Sequence, residues 1–183
     1  MIVLFTDFGA DDIYVGQVEA LAHLPAGAVI IDLLHSVPNF HVRAGAHLLA
    51  ALQSGFPADT VFLSVVDPGV GTDRGAVMLQ ANNKWYVGPD NCLLSVVAAR
   101  ATKTQTRRIV WRPSNLSSSF HGRDLFAPVA AWIARGDLPI DAIEETGELQ
   151  VHLGPDDLSE VIYTDHYGNA LTACAPITYA SAR

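Results

Sequence analysis

Side chains able to do acid–base or electrostatic work stand at strand ends and helix starts along this chain. In VVDPGVGTDRG (residues 65–75), an apolar run through Val61, Phe62, Leu63, Val65 and Val66 stops at Asp67. A turn rich in Pro and Gly then returns the chain to Arg74. A carboxylate at the end of a buried strand with a guanidinium brought back beside it makes a polar site at a sheet edge, able to hold a reacting water. The same pair can instead be an ion pair that stiffens a Gly-rich turn. FHGRD (residues 120–124) adds His121 ahead of a helix, an imidazole that donates or accepts near neutral pH; a capping or loop histidine is the plainer reading, as is a local salt bridge for Arg123 and Asp124. TDFGADD (residues 6–12) supplies Asp7, Asp11 and Asp12. Three carboxylates suit magnesium; one can equally cap a helix, and one can accept from both hydroxyls of a ribose.

These turns need a scaffold, and the alternation of strand and helix patterns supplies one. MIVLFT (1–6), AVIIDLL (28–34) and 60–66 read as buried strands, because they are short, apolar and β-branched. Between them, Ile13, Gln17, Ala20, Leu21 and Leu24 share one helical face, ended by Pro25 and Gly27, and residues 41–54 present a second with Val42, Gly45, Ala46, Leu49 and Leu52. Residues 75–81 and 84–87 read as a hairpin around Asn82-Asn83. GPDN (88–91) starts a helix carrying Leu93, Leu94 and Val97, and 107–112 is a further strand. Leu125, Val129, Trp132 and Ile133 trace a last helical face, with Pro128 in its first turn. The expectation is an α/β fold with a mostly parallel central sheet and flanking helices over residues 1–136. An acidic connecting segment follows over 137–160, and a short β-rich C-terminal segment over 161–183 holds a hairpin around DHYGN. In such a sheet, ligands bind outside the carboxyl ends of the strands, so the turns after the first three strands should gather at one edge.

The bulk properties narrow the function. With 183 residues, half of them hydrophobic, the chain can bury a full core. Eleven Lys and Arg against 19 Asp and Glu leave a net charge of −8 with no basic run, which argues against nucleic-acid and anionic-membrane partners. The apolar run at the start, Ile2 to Phe5, is too short for a signal peptide or a membrane span. Cys92 and Cys174 lie far apart in no zinc-like spacing, so a reduced, cytoplasmic protein is expected.

DFGADDIYVG, VVDPGVGTDRG, VGPDN, FHGRDLFAP and DHYGN occur in that order along the chain. Together they resemble the S-adenosyl-L-methionine (SAM) hydroxide adenosyltransferases, adenosine-forming SAM hydrolases related to the SAM-dependent fluorinases and chlorinases. The resemblance implies hydrolysis of SAM to adenosine and L-methionine by activated water or hydroxide attacking ribose C5′, with SAM as substrate and no cofactor or metal. It implies a water-activating set at Asp67, Arg74 and His121, with Asp67 and His121 both open as proton acceptor. It implies that Asp7 holds the ribose hydroxyls and that Asp165 and Asn169 hold the methionine part. It also implies a homotrimer whose sites lie between one subunit's N-terminal domain and its neighbour's β-rich C-terminal domain, of which residues 161–183 are a shortened, truncated counterpart. The halogenating relatives carry tyrosine where this chain has Asp67 and serine where it has Gly122, which favours water as nucleophile. Cys92 stands where the family usually has glycine. The alternatives are a non-catalytic SAM- or adenosine-binding module, and a carboxylate–metal hydrolase built on Asp7, Asp11 and Asp12.

Overall fold

The first strand, β1 (Ile2–Thr6), is buried along its whole length, because it lies inside the sheet with helices over both faces. The computed structural model describes residues 1–21, 29–154 and 156–174. Among these, α1 (Tyr14–Leu21), β2 (Ile30–Leu34), α2 (Val42–Leu52), β3 (Val61–Val65), β4 (Ala76–Ala81) and β5 (Lys84–Pro89) follow in chain order. Next come α3 (Ser95–Arg100), β6 (Thr104–Ile109), α4 (Ala127–Arg135), β7 (Ile143–Glu145), β8 (Leu158–Thr164) and β9 (Ala170–Ala173). Among the described residues, seven strands form one sheet in the order β2-β1-β3-β5-β4-β6-β7. β2, β1, β3 and β5 pair in parallel, while β4 and β7 run antiparallel to their neighbours. β8 and β9 form a separate antiparallel hairpin.

Alternation along the strands divides the core in two. Val3, Phe5 and Phe62 point to the face covered by α2 and α3. Ile2, Leu4, Val61, Leu63 and Val65 point to the opposite face, where Val18 of α1 and Val129 and Ala130 of α4 close over them. Phe62 and Tyr86 stack across β3 and β5, with ring centroids 5.0 Å apart. Burial of the Tyr86 phenol pushes its pKa up, and its hydroxyl donates to Gln53 Oε1 at 3.1 Å.

Several local expectations change. β2 is an edge strand and only partly buried, because a central place falls to β1. In α2, Ala44 through Ala50 are all buried, since Leu158 and Ile162 of the β8–β9 hairpin join the core cluster on the side of α2 away from the sheet. The strand expected at 107–112 lies at 104–109. The connecting segment is not merely a connector: Ile143–Glu145 extends the main sheet as β7, and β8 begins inside it at Leu158. The helix read after GPDN begins only at Ser95, because β5 runs on to Pro89. Leu24, Pro25 and Gly27 lie outside the described residues.

The Asn82-Asn83 turn has both residues at positive φ (47° and 63°), as a two-residue hairpin that follows strand twist requires. α4 ends with Gly136 at φ 74°, where a left-handed C-cap favours glycine. Among the described residues no helix is long and apolar enough to cross a membrane.

Candidate active site

β1, β2 and β3 run parallel, so the turns that follow them open on one edge of the sheet. A cavity of about 470 Å³ lies there, lined by Asp7, Asn39, Phe40, Asp67, His121 and Arg123 among others. Its volume suits a nucleoside-sized ligand.

Arg74 does not itself line the cavity; it stands behind the wall and ties together Asp67 and His121, which do. Its Nε donates to both oxygens of Asp67, at 2.9 and 3.0 Å, and its Nη2 donates to Asp67 Oδ2. Nη1 donates to the Gly75 carbonyl at 3.1 Å, and the guanidinium lies 5.2 Å from the Phe126 ring centroid. Nη2 also lies 2.9 Å from His121 Nδ1. A guanidinium has no acceptor, so Nδ1 must accept and the neutral ring carries its proton on Nε2. Burial and the Arg74 charge both push the His121 pKa down, with Asp67 opposing them. The pair is well sheltered, at 5 % side-chain exposure for Asp67 and 9 % for Arg74.

Two features of the sequence make this cluster achievable. The Asp67 turn packs against the loop before His121 so closely that a Cβ on Gly71, itself at φ 79°, would sit 2.3 Å from the Ser118 carbonyl oxygen. Only glycine fits there. His121 then leads into one turn of π-helix, Gly122–Phe126, which runs on into α4. The wider winding is characteristic of functional sites, and here it seats Gly122 against the Phe8 ring, 2.7 Å from where a Cβ would stand. Asn91 of GPDN holds the other flank, donating from Nδ2 to the Val66 carbonyl at 2.8 Å. Asp90 accepts from the backbone N–H of Gln150 at 2.9 Å and so ties the connecting segment to the end of β5.

Asp7 reaches the same cavity from the end of β1. Its Oδ2 accepts the Phe40 N–H at 3.0 Å; burial, the largest influence, raises its pKa, and the nearby Asp67 charge adds to the rise. Asp11 and Asp12 are exposed, and Asp12 Oδ1 accepts the Ile13 N–H at 2.6 Å ahead of α1. Among the described residues no group of three or more His, Cys, Asp or Glu side chains stands close enough to hold a metal ion.

Asp165 and Asn169 lie elsewhere, in the exposed turn between β8 and β9. Asp165 Oδ1 accepts the N–H groups of Tyr167 and Asn169 at 2.9 and 2.8 Å, and Oδ2 accepts from Asn169 Nδ2 at 2.7 Å. These bonds, led by the Asn169 side chain, hold the Asp165 pKa down. Neither residue lines the cavity of its own chain.

Sequence reasoning gave several wall residues no place in the cavity and read Arg123 and Asp124 only as the local salt bridge that they form. Phe8, Tyr14 and Phe120 form an aromatic group with edge-on contacts, Tyr14 and Phe120 at 5.2 Å and Phe8 and Phe120 at 5.7 Å. Arg123 lies over Phe120 at 4.9 Å, donates to Gln17 Oε1 at 2.8 Å and pairs with Asp124, whose pKa it holds down. Their spacing carried no signal, because Gln17 and Arg123 meet only when α1 packs beside the π-helical turn. Asn39 and Phe40 could have been found, since they follow β2 and belong to the same sheet edge.

A mostly parallel α/β sheet with a cavity and a buried carboxylate–guanidinium–imidazole cluster at its carboxyl edge is the class of arrangement this chain presents. Comparison with known proteins gives the family. The sequence model described as the SAM hydroxide adenosyltransferase N-terminal domain matches residues 2–144. A protein of Salinispora tropica named (R)-S-adenosyl-L-methionine hydrolase is 41 % identical, over 93 % of this chain and 70 % of its own length. One of the same name from Thermus thermophilus is 37 % identical, over 93 % of this chain and 73 % of its own length. A crystal structure of an uncharacterized conserved protein from Thermotoga maritima superposes with a TM-score of 0.84 at 38 % identity, covering 94 % of this chain and 71 % of that one. The chain belongs to the SAM hydroxide adenosyltransferase family.

Proposed function

We propose that this chain hydrolyses SAM to adenosine and L-methionine, with Asp67, Arg74 and His121 activating the water. The observation that carries the assignment of these three residues is the single guanidinium of Arg74 holding both the Asp67 carboxylate and His121 Nδ1, the two side chains of the set that line the cavity. The water oxygen bonds to ribose C5′, and the C5′–S bond breaks with its electron pair passing to sulfur. Methionine leaves as a neutral thioether, so no general acid is required. A water becomes a competent nucleophile once a base takes its proton or a positive group stabilises the hydroxide. Arg74 keeps its proton and supplies the fixed positive charge. His121 accepts from Arg74 at Nδ1 and offers Nε2–H, so it orients the nucleophile as a donor. Asp67 is therefore the proton acceptor of the set.

Asp7, on the cavity wall, accepts from the ribose diol. Asp165 and Asn169 hold the methionine part in a neighbouring subunit's site, within a homotrimer. This reading is supported by their exposure on a hairpin away from their own cavity, beside Tyr167 at 87 % exposure. Residues 1–136 act as the nucleoside- and water-binding unit, and residues 161–183 belong to the β-rich unit that closes the neighbour's site. No cofactor takes part, and the free cysteines fit a reducing, cytoplasmic setting.

Incubating the purified protein with SAM and separating the products by chromatography tests the activity. Adenosine and methionine in equal amounts are expected, and well-folded protein that releases no adenosine refutes it. Asp67→Ala should lower turnover far more than it weakens SAM binding; equal losses would contradict its assignment to the water.

A further inference from the structure

Beneath Asp7 lies a second polar chain that the reaction itself does not use. His35 is 7 % exposed and Thr6 1 % exposed. Thr6 Oγ1 lies 2.7 Å from His35 Nδ1, and His35 Nε2 lies 3.0 Å from Asp32 Oδ1. The carboxylate only accepts, so Nε2 carries the proton and Nδ1 of the neutral ring presents a lone pair. Thr6 must then donate its hydroxyl proton to Nδ1, which turns an oxygen lone pair to the Phe8 N–H at 3.3 Å. The backbone is tied at the same place: the His35 carbonyl accepts from Gly9 N–H at 2.7 Å, and the Thr6 carbonyl accepts from Val37 N–H at 3.3 Å. The β1–β2 register slips between Leu4 and Phe5, so that Leu33 is an extra residue on β2. Such a bulge re-aims the residues after it, and here His35 follows it and folds back onto Asp32 three positions earlier.

We infer that His35, oriented by Asp32 and acting through Thr6, is a positioning residue that aims the Asp7 carboxylate at the ribose diol. The inference rests on the proposed role of Asp7. Both neighbours of Asp7 in sequence are fixed by this relay, and the carboxylate itself is aligned by the Phe40 N–H, on the loop that His35 begins. A general packing role would affect every ligand alike. A role in aiming Asp7 affects only ligands that carry the diol.

The test compares adenosine with 2′,3′-dideoxyadenosine by titration calorimetry in the unaltered protein, His35→Leu, His35→Asn and Asp32→Ala. His35→Leu should weaken adenosine about tenfold and dideoxyadenosine less than about twofold, the scale of one or two mispositioned hydrogen bonds. His35→Asn keeps an acceptor near the Nδ1 position and should recover most of the loss. Equal weakening of both ligands, or no recovery with Asn, overturns the inference. Asp32 is on the exposed sheet edge, so Asp32→Ala carries the same comparison if His35→Leu does not fold. Amide exchange followed by NMR reads the positioning without substrate: Phe8 and Phe40 should exchange faster in His35→Leu while β3 amides do not change, and unchanged Phe8 exchange overturns the inference. An unaltered protein that binds the two nucleosides equally, with Phe8 and Phe40 responding as stated, would fault the ribose role of Asp7 and leave the relay standing.

Discussion

Replacing Arg74 by methionine separates what the guanidinium does for the fold from what it does for the reaction. Asp67 is 5 % exposed at its side chain and takes three of its hydrogen bonds from Arg74. Arg74→Met leaves that carboxylate buried without its countercharge, which costs about 3–5 kcal/mol when one partner of a buried pair is removed. At roughly 2–4 °C per kcal/mol for a domain of this size, the melting temperature should fall by about 10 °C. Asp67→Asn combined with Arg74→Met removes both charges, so most of that loss should return. Turnover should not return, because the double variant lacks both the proposed proton acceptor and the fixed positive charge, and loss of a group that stabilises developing charge alone costs about 10²–10³ in rate. Thermal unfolding by circular dichroism and adenosine release by chromatography measure the two effects on the same preparations. The reasoning is refuted if Arg74→Met melts within a degree or two of the unaltered protein, or if the double variant releases adenosine at near the original rate.

Further predictions concern acid, shape and metal. His121 has a lowered pKa in the folded protein, so the unfolded chain takes up the proton first as pH falls. Its contribution to stability is complete above the ordinary histidine value, about 6.5, and is lost progressively below it. Protonation also turns Nδ1 into a donor facing the donor Nη2 of Arg74, so the rate should be level above that pH and fall in acid; a rate that rises on acidification would contradict the orientation of the ring. Gly122→Ser places a Cβ 2.7 Å from the Phe8 ring, and the overpacking should cost about 1–3 kcal/mol in denaturant titration. The variant should also remain a hydrolase, since Asp67, Arg74 and His121 are all retained; 5′-chloroadenosine formed from SAM and chloride would refute this. A chelator should leave adenosine release unchanged, and its loss with restoration by magnesium would revive the carboxylate–metal reading of Asp7, Asp11 and Asp12.

The site was legible in outline because its residues sit at strand ends, where an apolar run meeting Asp7 or Asp67 marks the edge of a sheet before any coordinates exist. The family resemblance carried by the five motifs then singled out Arg74 and His121. The partnership between those two was not legible. Local spacing can bring Asp67 and Arg74 together across one turn, but His121 reaches Arg74 only because the close approach of Gly71 to Ser118 docks two separate loops. The relay from Asp32 through His35 to Thr6 was hidden for a similar reason, since it depends on a one-residue slip between β1 and β2 that no hydrophobic pattern records.

Composition and periodicity determined the fold class, most strand positions and the acidic character of the chain, because these depend on burial alone and burial follows residue type. The sheet order was beyond them: strands of equal hydrophobicity are interchangeable in sequence, and only packing made β2 an edge and placed β7 in the main sheet. The protonation logic of the site was also a tertiary matter. The tautomer of His121 follows from which atom of Arg74 faces it, and its lowered pKa follows from burial beside a fixed positive charge. A pKa depends on distance in space, and distances between loops are set by the packed sheet and helices.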